Sequence, residues 1–259
     1  LIYGSLRKHW KNVHNLRDTM IDTNKFLNRK APSKRYTELL TEYQSMHKVS
    51  DGMFNGRSLV KFIDIIKNYL DKHECKSLID YGCGKGLLYT EDFKKVTRSN
   101  EALQVPLTEY WGLDKLALFD PGHEEHNKLP IGLYDAAIST DVLEHVPTSD
   151  LDWVIREIFS YSQKMVFLNI ACMPAIKKLA DGSNAHISLH SPYDWLQYIA
   201  EITEDFTKHY PDLSVYVFFD VLDEDDRLIT EGYKIHKRIN IVPLTQMDKE
   251  TNNVIVGEE

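Results

Sequence analysis

Seven consecutive residues, Asp80-Tyr81-Gly82-Cys83-Gly84-Lys85-Gly86, combine an acid with three alternating glycines. Without a Cβ, glycine lets the backbone turn sharply and come close to a ligand. A dinucleotide turn has the spacing G-x-G-x-x-G and rests a pyrophosphate on a helix N-terminus, whereas the spacing here is G-x-G-x-G. An acid just before the turn repels a pyrophosphate and suits a ligand carrying an ammonium group. A second group, Asp141, Glu144 and His145, falls at i, i+3 and i+4, positions that project from one side of a helical turn. A histidine titrates near neutrality, so His145 is a candidate general base for a substrate hydroxyl, with Glu144 beside it. The competing reading is an ordinary strand-to-helix junction, with Glu144 near a helix N-terminus and His145 packed against it. His186, in the polar run Asp181-Gly182-Ser183-Asn184-Ala185-His186, is the second candidate base.

These residues need elements to hold them. Ser77 to Tyr81 reads as a short strand stopped by the glycines, and Leu87 to Val96 as the helix that follows. Leu59, Phe62, Ile63, Ile66 and Leu70 recur at helical spacing behind a possible Ser58 cap. Leu116 to Phe119, ended by Asp120-Pro121-Gly122, and Tyr134 to Thr140 are further strands. Thr97 to Thr108 reads as a surface insertion. Ser149 and Asp152 open a helix with Leu151, Val154, Ile155, Ile158 and Phe159 on one stripe. Lys164 to Cys172 is a nearly continuous apolar run, as expected of a central strand covered on both faces. Ser191-Pro192 is a cap followed by proline at the first helical position. Leu213 to Asp220 and Tyr233 to Val242 are expected as a late antiparallel pair. The alternation predicts an α/β fold with a doubly wound, mostly parallel seven-stranded sheet. It is preceded by helices over about 5–28 and 34–46.

The expected organisation is a helical cap over residues 1–57, a ligand-binding domain over 58–250 and a loose tail over 251–259. The 259 residues, 42% hydrophobic and 27% charged, suffice for one sizeable core. A net charge of −8 disfavours nucleic acid as a partner. Cys75, Cys83 and Cys172 form no C-x-x-C pair, which argues against a disulfide framework or a zinc knuckle and for a reducing, cytoplasmic setting. No apolar run approaches the roughly 18 residues that span a bilayer, so no membrane partner is expected.

Leu78 to Gly86 resembles motif I of the class I (Rossmann-like) S-adenosylmethionine-dependent methyltransferases. Tyr134-Asp135-Ala136-Ala137-Ile138-Ser139-Thr140-Asp141-Val142-Leu143-Glu144-His145-Val146 is similar to the fourth-strand segment of that family. The likeness covers about residues 58 to 200. It implies that Asp80, Tyr81, Gly82, Gly84 and Gly86 line the methionine part of S-adenosyl-L-methionine, with Asp141 and Val142 close by. It implies an acid for the ribose hydroxyls at the end of the second strand, either Asp120 or, less well placed, Asp114. Adenine is expected beside Lys128-Leu129-Pro130, and the product would be S-adenosyl-L-homocysteine. The family commonly places substrate-facing residues in the loop that here carries His186. The D-x-x-E-H pattern with a later histidine also resembles the divalent-metal site of small-RNA 2′-O-methyltransferases and the acid–histidine cluster of ubiquinone-pathway O-methyltransferases. The N-terminal aromatics Trp10, Tyr36, Tyr43 and Phe54, with Met46 and His47, are expected to fold over the cofactor. The implied activity is O-methylation of a small-molecule acceptor. RNA or protein methylation, or a cofactor-binding partner module without methyl transfer, stand as alternatives.

Overall fold

The computed structural model describes residues 27–49, 54–90, 105–235 and 241–247. The strands are β1 Ser77–Tyr81, β2 Lys115–Phe119, β3 Tyr134–Thr140, β4 Ser162–Ala171, β5 Ser214–Leu222, β6 Leu228–Ile235 and β7 Ile241–Met247. They form a single sheet in the order β2-β1-β3-β4-β5-β6-β7. Pairing is parallel from β2 through β5 and antiparallel from β5 through β7.

The sheet is therefore mixed and, among the described residues, carries few helices, which corrects the expectation of a doubly wound, mostly parallel α/β fold. The physical reason lies in the connections. Parallel neighbours require a crossover, usually helical, but antiparallel neighbours need only a hairpin. Five residues, 223–227, join β5 to β6, and Asp223 binds this turn by accepting from the backbone N–H groups of Asp225 and Arg227 at 2.9 Å. The strand expected over Tyr233 to Val242 is split between the end of β6 and the start of β7. After β1, the described chain has only a 3-10 turn at Leu87–Tyr89 and a single helical turn at Leu107–Tyr110. Residues 91–96 of the expected helix, most of the 97–108 insertion, the helix over 5–26 with Trp10, and the tail lie outside the described residues.

The remaining helices follow from apolar spacing. Helix α1 (Lys34–Val49) leads into the short α2 (Arg57–Val60) and α3 (Ile63–Lys72), with α4 at Leu107–Tyr110. The helix expected to run on from Ser58 is interrupted at Lys61 and Phe62. Ile63, Ile66 and Leu70 of α3 are fully buried with Leu78, Ile138, Phe167 and Phe218 on one face of the sheet. On the other face α5 (Leu151–Ser160) and α6 (Pro192–Thr207) bury Ile155, Ile158, Trp195 and Ile199 against Val166, Leu168 and Val217. Each such side chain contributes about 1.5–3 kcal/mol when removed from water. Ser191 caps α6 with a complete capping box, accepting from the Asp194 N–H while Asp194 accepts from Ser191. Strand β4 sits between β3 and β5 and is buried at seven consecutive positions, Met165 to Ala171. Among the described residues no helix is long and apolar enough to cross a membrane.

Candidate functional site

The chain passes from β1 out to β2 and back to β3 on the opposite side of β1. Connections that leave a strand in opposite directions open a crevice beyond its carboxyl end. A cavity of about 290 Å³ lies there, lined by the ends of β1, β2 and β3 and roofed by α1 and the Phe54–Leu59 segment.

The glycine turn shapes its floor. Gly82, Gly84 and Gly86 all adopt positive φ (91°, 59° and 63°). A Cβ on Gly82 would stand 2.2 Å from Val142 Cγ2, and one on Gly84 would stand 2.3 Å from the Phe54 carbonyl oxygen. Backbone approaches this close exclude every side chain. Asp120, just beyond β2, closes the turn: its Oδ2 accepts from the Gly84 N–H at 2.9 Å and its Oδ1 from the Gly122 N–H at 2.8 Å. Each carboxylate oxygen keeps a lone pair for a further donor. Of the two candidate acids, Asp120 lines the cavity and Asp114 does not.

Asp80 is 4% exposed and accepts from Tyr89 Oη at 2.8 Å. Burial, reinforced by repulsion from Asp120 and opposed by the Tyr89 hydrogen bond, raises its pKa to about 7. Tyr81 lines the cavity and its hydroxyl donates to Glu157 at 2.8 Å. Arg29, ahead of α1, bridges Glu157 and the Tyr81 hydroxyl and lies over the Phe119 and Trp153 rings. This ties the start of the roof to the sheet. Of the expected N-terminal aromatics, Tyr36, Tyr43, His47 and Phe54 line the cavity, while Met46 packs instead beside Leu39 and Leu179.

Several expected site residues lie elsewhere. Gly86 faces Leu118 and His126 and not the cavity. Leu129 is 38% exposed and also lies outside it. The turn after β3 is a 3-10 turn, Leu143–His145, entered through Asp141 at φ 60°. Asp141 therefore precedes the turn and is not part of a common helical face with Glu144 and His145. Glu144 is fully buried, and its Oε1 accepts from the Ala171 N–H of β4 at 2.7 Å. Burial first, then the charge of Asp141, holds its pKa well above the usual carboxylate range. Glu144, expected as a catalytic group, does not line the cavity: it is buried and braces the Ala171 backbone of β4.

Asp141 and His145 do line the cavity, and His186 joins them from behind, its ring centroid 4.8 Å from that of His145. His145 Nδ1 lies 2.9 Å from the Ala185 carbonyl and 2.9 Å from Tyr43 Oη. His186 Nδ1 lies 2.6 Å from the Met173 carbonyl. A carbonyl only accepts, so both rings carry their proton on Nδ1 and present Nε2 as the basic nitrogen. Burial lowers the pKa of His145 below 6.5, against the opposing pull of Asp141. One ligand atom from each of Asp141, His145 and His186 falls within 4.8 Å of the others, a spacing fit for a divalent ion.

His47 and Arg57 also line the cavity, and sequence patterns gave neither a chemical role; of the two, His47 is the more buried. It stacks on Phe54 (centroids 4.3 Å, planes at 25°), and its Nε2 stands 3.8 Å from Asp120 Oδ1. Burial lowers its pKa below 6.5, although Asp120 pulls the other way. No spacing rule connects position 47 with position 120. No protein-family model, curated protein or solved structure matches this chain.

Proposed function

We propose that this protein is an S-adenosylmethionine-dependent methyltransferase acting on an oxygen of a small-molecule acceptor. The observation that carries the reading is the charge of the crevice. Among the residues lining it, the acids Asp80, Asp120 and Asp141 face a single fixed cation, Arg57. Such a cavity attracts a ligand with sulfonium and ammonium charges and repels a pyrophosphate. The resemblance of Leu78–Gly86 to motif I points the same way. Asp120 would accept from the ribose hydroxyls, and Asp80, losing its proton, would take the ammonium group. Gly82 and Gly84 line the same cavity and would present bare backbone to the methionine part.

The bound cofactor supplies a methyl group activated by positive sulfur. The protein's contribution is to hold an acceptor oxygen in line with it, exclude water beneath α1, and remove the acceptor's proton. His145 would take that last step: the Ala185 carbonyl accepts from its Nδ1–H, leaving Nε2 as the basic nitrogen, and burial favours its neutral form. A second reading has Asp141, His145 and His186 hold a divalent ion that acidifies the hydroxyl; the two carbonyl-anchored Nδ1 atoms favour it.

Calorimetric titration with S-adenosylmethionine and with NAD tests the proposal. Micromolar binding of S-adenosylmethionine alone, lost in Asp120→Ala, is the expected result. Equal binding of NAD, or no binding of either, would overturn it. Transfer of labelled methyl that survives EDTA assigns proton removal to His145; transfer abolished by EDTA assigns it to the metal.

A further inference from the structure

A separate group of donors lies in the loop after β2, outside the cavity lining. Three backbone hydrogen bonds close this loop: His123 N–H to Asp120 O (3.2 Å), His126 N–H to His123 O (3.0 Å) and Asp120 N–H to His126 O (3.0 Å). The closure brings one ligand atom each from His123, Glu125 and His126 within 4.8 Å of one another. The two imidazole rings sit with centroids 5.1 Å apart. His123 Nδ1 is buried and has no hydrogen-bond partner. A buried polar nitrogen left unpaired is costly, and an arriving cation would satisfy it.

We propose that His123, Glu125 and His126 form a binding site for a divalent transition-metal ion of the zinc type. Two imidazoles and one carboxylate are the donors zinc accepts, with a fourth, tetrahedral position left for water. Imidazole-rich sites disfavour magnesium and calcium, which take oxygen ligands. Zinc bound here would hold the three atoms at roughly 2.0–2.2 Å. The site adjoins the crevice without belonging to it. A Cβ on Gly86 would stand 3.0 Å from His126 Nε2, and the His47 ring lies 5.1 Å from that of His123. An ion held here would fix the loop that carries Asp120. The inference does not depend on which cofactor the crevice takes.

The test is a competitive-chelator titration with Zn²⁺ on the full chain after metal removal. Wild type is compared with Glu125→Gln, His123→Ala/His126→Ala and, as a control for the other donor group, Asp141→Asn. Glu125 is exposed, so its replacement leaves the fold intact. The proposal expects one zinc equivalent that is lost in the double variant, weakened at least tenfold in Glu125→Gln, and unchanged in Asp141→Asn. Cobalt substitution should give tetrahedral visible absorption in wild type and in Asp141→Asn only. No tight zinc in wild type, or zinc that survives Glu125→Gln and the double variant undiminished, would overturn it. Loss in Asp141→Asn alone would place the ion on the other donors and equally overturn it.

Discussion

Replacing Asp80 by asparagine should make the protein more stable and less able to bind its ligand. The carboxyl is buried, and its pKa is raised from 3.8 to about 7. The unfolded chain releases this proton near pH 4, while the folded protein keeps it up to about pH 7. The folded state therefore binds more protons between those values, and stability falls as pH rises through that window. The full cost is present above pH 7 and absent below pH 4. Each tenfold in proton affinity is worth a little over 1 kcal/mol, so three of them set a ceiling of roughly 4 kcal/mol. Asparagine still accepts from Tyr89 Oη and carries no charge to desolvate. Urea denaturation of both proteins at pH 5 and pH 8.5 reads this directly. Asp80→Asn should gain about 2–4 kcal/mol on wild type between the two, or roughly 5–10 °C in Tm, while losing S-adenosylmethionine affinity. Parallel pH dependences in the two proteins would refute the reasoning.

Other consequences are equally specific. Gly82→Ala meets Val142 at 2.2 Å, whereas Gly182→Ala, also at positive φ, meets nothing within 4 Å. The first should cost 3 kcal/mol or more and the second about 1 kcal/mol in thermal unfolding; equal costs would contradict the close-approach argument. Glu144→Gln should stay within about 1 kcal/mol of wild type at pH 7, because burial disfavours the charged form and the amide oxygen still accepts from Ala171. Glu144→Ala should lose about 3–5 kcal/mol by chemical denaturation; near-equality of the two would show that the brace carries no stability. Arg29→Met strands the mostly buried Glu157 and should cost about 3 kcal/mol, part of it recovered when Glu157→Gln is added. A double-mutant cycle without recovery would argue against the bridge.

The sequence carried the parts of this molecule whose causes are local. Apolar stripes placed α5 and α6, the continuous apolar run placed β4, and the alternating glycines placed the turn that three positive φ angles now explain. Strand pairing was less legible. The antiparallel return onto β5 was expected from the turn before it, but the start of β6 at Leu228 and the division of 233–242 between β6 and β7 depend on loop length and edge pairing, which residue periodicity does not encode. Asp141, Glu144 and His145 were grouped on 3.6-residue geometry; in the fold Asp141 is left-handed and precedes a 3-10 turn, Glu144 is buried against β4, and the loop after β4 carries His186 to His145. His47 and Arg29 reach the site from about 70 and 90 residues before Asp120, through packing of α1 and its lead-in segment, and carry no pattern of their own.

The central claim is that the crevice at the carboxyl ends of β1, β2 and β3 is the cofactor site. A crystal structure with S-adenosyl-L-homocysteine is the most direct measurement. The account predicts ligand density there, with ribose hydroxyls on Asp120 and the amino group beside Asp80. Density elsewhere on the protein, or an empty crevice at saturating ligand, would contradict it.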